Sequence, residues 1–467
     1  MVKTPKVDPR LVASVLDKTE NGPVIDEKDW DRRYINQTIR QLVEIYKINW
    51  DKDFYGVLAD DALADRVFAA GFDLALQSGL YCVNTNRRMV WSKDELIQVI
   101  DNAPKEVTAG EGKDEVTFRK RGLDENTRVG VIGGPYGIPF PEELFVPVVQ
   151  SYAQEQLLDI IDLPSLQTTY GYSIRAESPW DQLAVWQEAG LTFEALERAG
   201  RPGMPIGCAN SAASHLGELT STSYGGFRQI DWHHNSIMSE LKVSYADLIR
   251  AVHYVHTGSV SHNFYNTIFG GYVGGGDGMA VAIVAGMILL RASLWGESVN
   301  PGPSHAHLSC NSFPAMIPSQ TVALQALARN TNLITSGFLR PVSGPCVKDL
   351  FYEIAALVIA QVPSGISFTK AVHTATGRFP LHCTPLEARF AAQVTHAAEG
   401  LTRSEADPIV RKLVDKYKDN LNTPNAGKPF TEAYDVDSLT PSSEWQGIYD
   451  EACKEIEAEF GLSLIKI

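Results

Sequence analysis

The rhythm of apolar and polar positions changes near residue 128 of the chain. Before it, in "DDALADRVFAAGFDLALQSGL", Leu63, Val67, Phe68, Phe72, Leu74 and Leu76 recur at helical spacing. The segment "EVTFRKRG" (115–122) then reads as a short strand or hairpin element. From 128 onward, short β-like runs alternate with helical ones. The expected strands are "RVGVIGG" (128–134), "LLDIIDL" (157–163), "GMPIGCA" (203–209) and "GFRQID" (226–231). They continue with "GSVSHNFYN" (258–266), "SHAHLSC" (304–310), "NLITSGF" (332–338) and "SGISFTKAV" (364–372). Helical stretches separate them, among them "SYADLIRAVHYVHT" (244–257), "GMAVAIVAGMILLRASLW" (278–295), "SQTVALQALARN" (319–330) and "KDLFYEIAALVIAQ" (348–361).

About eight strand–helix units over roughly 250 residues predict an α/β fold of the (β/α)8 TIM-barrel type, with right-handed crossovers. A doubly wound open sheet is the alternative. The expected organisation is an N-terminal helical extension with short strands (1–125), the barrel (126–384) and a charged C-terminal helical cap (385–467), all in one structural unit. The longest apolar run, "MAVAIVAGMILL" (279–290), stops at Arg291 and is too short to span a bilayer, so it predicts a buried helix. The glycine-rich "GGYVGGGDG" (270–278) matches no phosphate-loop pattern, and Asp277 opposes a phosphate there. It reads as a turn into the buried helix.

Composition narrows the function. The 467 residues are 44% hydrophobic and 21% charged, which suits a globular protein with a large core. The net charge of −15 opposes nucleic acid and anionic membranes as partners. Cys82, Cys208, Cys310, Cys346, Cys383 and Cys453 are widely spaced and form no CxxC pair. With no apolar leader in "MVKTPKVDPRLVAS", they predict a reduced, cytoplasmic protein rather than a disulfide framework.

In a barrel of this kind the C-terminal strand ends converge on one mouth. In order, those ends carry Gly207 and Cys208; Asp231, Trp232, His233 and His234; His262, Asn263, Phe264 and Tyr265; His305, His307 and Ser309; and Phe338, Leu339 and Arg340. Five of the 11 histidines fall there. Cys208, on the bare backbone of "GRPGMPIGCANSA", reads as a small buried hydrophobe rather than a nucleophile, because nothing adjacent would lower its pKa. His233 and His234 must face opposite ways. Cys208, His234, His262 and His307 come from successive strands and are of types zinc accepts, although no short ligand spacing supports a metal site.

The pieces "AGFDLALQSGLYC" (70–82), "FRKRG" (118–122), "AGRPGM" (199–204), "FGGYVGG" (269–275), "SGPC" (343–346), "EARF" (387–390) and "EAYDVDSLTP…YDEA" (432–452) run nearly the whole chain in order. Together they resemble the monomethylamine methyltransferases of methanogenic archaea. The resemblance implies a TIM barrel, a homo-oligomer, no tightly bound cofactor, and methyl transfer from an amine to the Co(I) of a separate corrinoid protein. The family's signature pyrrolysine falls on Gly207. Pocket glutamates of the family fall on His234 and Phe264, a pocket glutamine near Phe338–Leu339, and an arginine on His307, whereas Asp231 and His305 match.

These differences lead to an expectation of a pyrrolysine-free methyltransferase acting on a larger N-methylated amine, such as a quaternary one. Its catalytic candidates are His234, His307 and Asp231. Its substrate-binding candidates are Gly207, Cys208, Trp232, Phe264, Tyr265, His305, Phe338 and Leu339, with Trp232, Phe264, Tyr265 and Phe338 as an aromatic box for a cation. Two alternatives stand beside it. One is a zinc-dependent methyltransferase for a thiol or alcohol that uses Cys208, His234, His262 and His307. The other is a non-catalytic barrel that binds a ligand or the corrinoid protein.

Overall fold

The computed structural model describes residues 6–208 and 210–466; the side chain of Cys208 lies outside the described residues. Eight parallel strands close into a barrel: β1 (Gly130–Gly133), β2 (Ile160–Asp162), β3 (Ile206–Cys208), β4 (Trp232–Ile237), β5 (Ser261–Tyr265), β6 (Ser298–Pro301), β7 (Ile334–Phe338) and β8 (Phe368–Lys370). Each strand pairs with its successor, and Phe368 of β8 lies opposite Gly130 of β1, closing the ring. The helices that follow the strands are α1 (Glu142–Ala153), α2 (Pro179–Arg198), α3 (His215–Ser221), α4 (Tyr245–Thr257), α5 (Gly276–Leu294), α6 (Met316–Asn330), α7 (Lys348–Gln361) and α8 (Pro385–Ala397). The eighth helix therefore follows residue 384, where the sequence pattern placed the barrel's end.

Six of the eight expected strands overlap barrel strands. The other two differ, for a reason that matters at the site. Residues 226–231 form a turn and β4 begins only at Trp232, because Asp231 closes that turn by accepting the backbone N–H of Arg228 (2.7 Å). "WHHNSI" is a strand whose polar outward residues hide it from a hydropathy pattern. Likewise β6 is "SVNP", with asparagine and proline where apolar residues are expected. The alternating stretch at 304–310 gives only a two-residue strand, Ser304–His305, paired with Ile268–Phe269 outside the barrel.

The N-terminal end of the barrel is plugged. The hairpin of Glu106–Ala109 with Val116–Arg119 inserts Phe118 against Phe368 (centroids 4.8 Å apart) and Trp232 (5.4 Å, edge-on). Ile132, Ile160 and Ile334 complete this layer. Gly130 is what admits Phe118, since a Cβ there would sit 2.0 Å from its ring. Buried aromatics of this kind contribute about 3 kcal/mol each, so the hairpin seals the lumen from below.

The apolar run at 279–290 lies within α5, and 89% of its most hydrophobic window is buried in the fold. Helix Asp61–Ser78 packs on α5 closely enough that a Cβ on Gly71 would meet Val284 at 2.5 Å. The glycine-rich turn before α5 is likewise a packing device: a Cβ on Gly278 would lie 2.0 Å from the Val273 carbonyl. At the other end of the chain, Ser443–Phe460 stacks Trp445 on Phe351 of α7 (4.8 Å, 14°). The C-terminal mouth of the barrel is left open.

Candidate functional site

A cavity of about 350 Å³ occupies that mouth. Its floor is set by the ends of β2, β4, β5 and β8. Along β4 the pleat points Trp232, His234 and Ser236 inward and His233 and Asn235 outward. His233 accordingly hydrogen-bonds the Arg228 carbonyl (2.8 Å) beneath α4. On β5, His262 and Phe264 line the cavity, while a Cβ on Gly286 of α5 would strike the outward ring of Tyr265 at 2.2 Å.

A charged cluster sits at the base of the cavity. Asp162, the last residue of β2, is buried, and its Oδ2 lies 3.3 Å from Lys370 Nζ and 3.5 Å from His234 Nε2. Lys370 Nζ donates to His234 Nε2 (3.3 Å). Asn210 steadies the carboxylate by donating from Nδ2 to Asp162 Oδ1 (2.7 Å) and to the Leu163 carbonyl (3.0 Å). Burial pushes Lys370 down and Asp162 up from their ordinary pKa values, and each opposes the other's shift. The Tyr136 ring lies 5.1 Å from Lys370 Nζ.

Three imidazoles face this cluster and are neutral at pH 7. Burial, reinforced by Lys370, holds His234 and His262 well below the ordinary histidine value, and burial with Arg340 and Lys370 does the same to His373. His262 Nδ1 bonds Ser298 Oγ (2.8 Å), leaving its buried Nε2 without a partner. Phe264 and Phe338 form an edge-to-face pair 5.8 Å apart on the wall.

Gly207 stands at the centre of this arrangement. It pairs in register with Asp162 on one side and Trp232 on the other. A Cβ there would meet Asp162 Oδ2 at 2.9 Å and His234 Cε1 at 3.3 Å. The bare stretch that follows is held by carboxylates of α2. Glu188 accepts the backbone N–H groups of Asn210 and Ser211 (both 3.0 Å), and Asp181 accepts that of Ala213 (2.8 Å). The absence of side-chain bulk lets these buried acids reach the backbone; burial raises Glu188 to about 8.

Of the residues expected at the mouth, His234, His262, Phe264, Phe338 and Arg340 line the cavity, and Gly207 faces its Asp162–His234 floor. The others go elsewhere. Asp231 precedes β4 and so lies at the opposite end of the barrel, buried against Arg228 (2.8 Å). Trp232 belongs to the apolar plug, and Tyr265 packs outward on α5. Leu339 is buried among core side chains outside the barrel. His305 stacks between Phe269 (5.6 Å) and Phe313 (4.5 Å), and His307 is exposed on the following turn. The four-donor zinc set is therefore not assembled: His307 is remote from the paired His234 and His262 rings, and the Cys208 side chain lies outside the described residues. Among the described residues no three His, Cys, Asp or Glu side chains converge as metal ligands.

Several lining residues escaped the sequence reading: Tyr136, Asp162, Asn210, Glu218, Arg250, Lys370 and His373. One signal was available. Asp162 and Lys370 are lone charges at the ends of otherwise uncharged strand segments, "IID" and "FTK".

A closed parallel barrel with a polar, ring-lined cavity at its C-terminal mouth has the architecture of a (β/α)8-barrel enzyme. The family model described as "Monomethylamine methyltransferase MtmB" matches residues 11–462. The chain is 31% identical over 444 residues to monomethylamine methyltransferase MtmB of Methanosarcina mazei, covering 94% of this chain and 96% of the relative. It is 30% identical, with the same coverage, to MtmB1 of Methanosarcina barkeri. The crystal structure of the Methanosarcina barkeri monomethylamine methyltransferase superposes with a TM-score of 0.94 at 30% identity, over 97% of this chain and 98% of that one, and so does a hydroxylamine MtmB complex. The chain belongs to the monomethylamine methyltransferase MtmB family and is a methyltransferase.

Proposed function

We propose that this cavity binds an N-methylated ammonium compound, larger than monomethylamine, and presents its methyl group to the Co(I) of a corrinoid carried by a partner protein. The single observation that carries the reading is Gly207. With no side chain at that position, Gly207 offers no group that could hold an amine covalently, and binding falls to the shape and charge of the cavity walls. The transfer breaks the carbon–nitrogen bond, whose electron pair stays on nitrogen. The new carbon–cobalt bond uses the electron pair of Co(I). A quaternary ammonium leaves as a neutral amine and needs no proton.

The walls support such a donor. Phe264 and Phe338 offer ring surface for a methylated cation, at about 0.5–2 kcal/mol per contact. Asp162 supplies the carboxylate. The neutral state of His234 makes it an acceptor for Lys370 rather than a general acid, so catalysis rests on orientation and on excluding water from the reacting carbon. Lys370 opposes the upward push of burial on the Asp162 carboxyl.

The test mixes the protein with reduced corrinoid protein and a panel of mono-, di-, tri- and tetra-substituted methylamines, followed by the absorbance of methyl-Co(III). Conversion with bulky quaternary donors and not with monomethylamine is the expected result. Conversion with monomethylamine alone overturns the substrate reading, and conversion with no donor overturns methyl transfer.

A further inference from the structure

Three basic side chains and two acidic ones line the cavity, and the surplus charge sits on Arg340. Lys370 is paired with Asp162 (3.3 Å), and Arg250 with Glu218 and with Asp247 (2.6 Å). Among the described residues no carboxylate lies within 4.0 Å of Arg340. Its Nη1 donates to Ser304 Oγ (2.8 Å), and its buried Nε has no partner. The nearest influence of like kind is another cation, Arg378.

The backbone carrying this guanidinium is fixed. Arg340 N–H donates to Asn311 Oδ1 (2.8 Å), Asn311 N–H donates to the Arg340 carbonyl (3.0 Å), and Asn311 Nδ2 donates to the Phe338 carbonyl (2.6 Å). A planar fork of donors, held in place and left unsaturated in a buried wall, is a site for a carboxylate. His373, three residues beyond the end of β8, adds a buried Nδ1 without a partner among the described residues, and the Arg340 charge acts on its ring.

We propose that the methyl donor is a zwitterion, an N-methylated ammonium that also carries a carboxylate, and that Arg340 reads the carboxylate while the cationic nitrogen lies towards Asp162 and Phe264. This rests on the reading of the cavity as the methyl-donor site. Arg340 is then the residue that sets specificity: it favours a donor whose carboxylate matches its charge over a methylated ammonium that carries none.

Calorimetric titration of the protein with trimethylammonioacetate and 4-(trimethylammonio)butanoate, each against its alcohol counterpart, tests the assignment. One carboxylate should bind about 30-fold tighter than its alcohol, the range expected for hydrogen bonds to charged groups. Arg340→Met should erase that preference while leaving the alcohol's affinity within about threefold, and Arg340→Lys, which keeps the charge but loses the fork, should retain part of it. Equal affinities in the native protein, no binding of either carboxylate, or a preference that survives in Arg340→Met would each overturn the assignment. The two readings fail separately. If alcohols donate methyl groups to the corrinoid as well as carboxylates do, methyl transfer stands and the zwitterion falls. If Arg340-dependent carboxylate binding is found but no donor methylates the corrinoid, Arg340 keeps its role and methyl transfer falls.

Discussion

Replacing Lys370 by methionine removes the counter-charge of a buried carboxylate without opening a large void. Lys370 is 6% exposed and Asp162 1%, and the Nζ–Oδ2 separation is 3.3 Å. Breaking such a pair from one side costs about 3–5 kcal/mol when the stranded charge stays ionised. Asp162 has an escape, because it can take up a proton while keeping the Asn210 Nδ2 donor at 2.7 Å. The cost must therefore depend on pH, and its sign follows from linkage. In Lys370→Met the folded-state pKa of Asp162 rises further above its unfolded value of about 4. The folded protein then binds a proton that the unfolded chain has lost, so stability falls as pH rises from about 4 towards the folded value, at about 1.4 kcal/mol per pH unit. Lys370 itself, pushed down by burial, imposes a penalty on the native protein that is relieved with rising pH, so its removal acts in the same direction. Urea unfolding at pH 5, 6.5 and 8 should show a deficit relative to the native protein that grows by about 2–4 kcal/mol across the series at constant m-value. Adding Asp162→Asn should recover most of it at pH 8. A deficit independent of pH, or one that the second substitution deepens, would refute the coupling of these two side chains.

Gly207→Ala should lower methyl transfer at least about tenfold and cost about 1–2 kcal/mol, because the new Cβ at 2.9 Å from Asp162 Oδ2 must displace a carboxylate that Asn210 and Lys370 hold; kinetics and urea midpoints on one preparation check both effects. Asp231→Asn and His307→Ala probe residues that lie away from the cavity. The first should cost about 3 kcal/mol through its half-buried partner Arg228 with little change in KM, and the second should leave both stability and activity within about 0.5 kcal/mol of native, as thermal unfolding and steady-state assays would show.

The sequence by itself determined the architecture. The alternation of short β-like runs with apolar helical ones sets the parallel barrel, because burial on both faces of a strand and on one or more faces of a helix leaves a periodic trace. The same trace shows α5 as a buried helix, since no polar face interrupts residues 279–290. The trace fails where a strand's residues are polar. β4 carries His233, His234 and Asn235, and β6 carries Asn300, so periodicity places the strand ends several residues away from where they lie and shifts the residues it assigns to the mouth. That is how Asp231 and Trp232, at the sealed bottom of the barrel, came to look like residues of its open mouth.

Only the tertiary structure decided which charges meet. Asp162 and Lys370 are far apart in the chain, and one-dimensional spacing carries no record of neighbours brought together by closing β8 onto β1. It also changed the meaning of "GRPGMPIGCANSA". The bareness of that stretch follows partly from the buried acids of α2 that seize its backbone, and Gly207 within it is the point where any side chain would press on Asp162 and His234. Periodicity records which faces a chain buries, whereas a site is made of the few polar groups buried against that rule, and their partners are fixed by closure of the barrel rather than by their order in the chain.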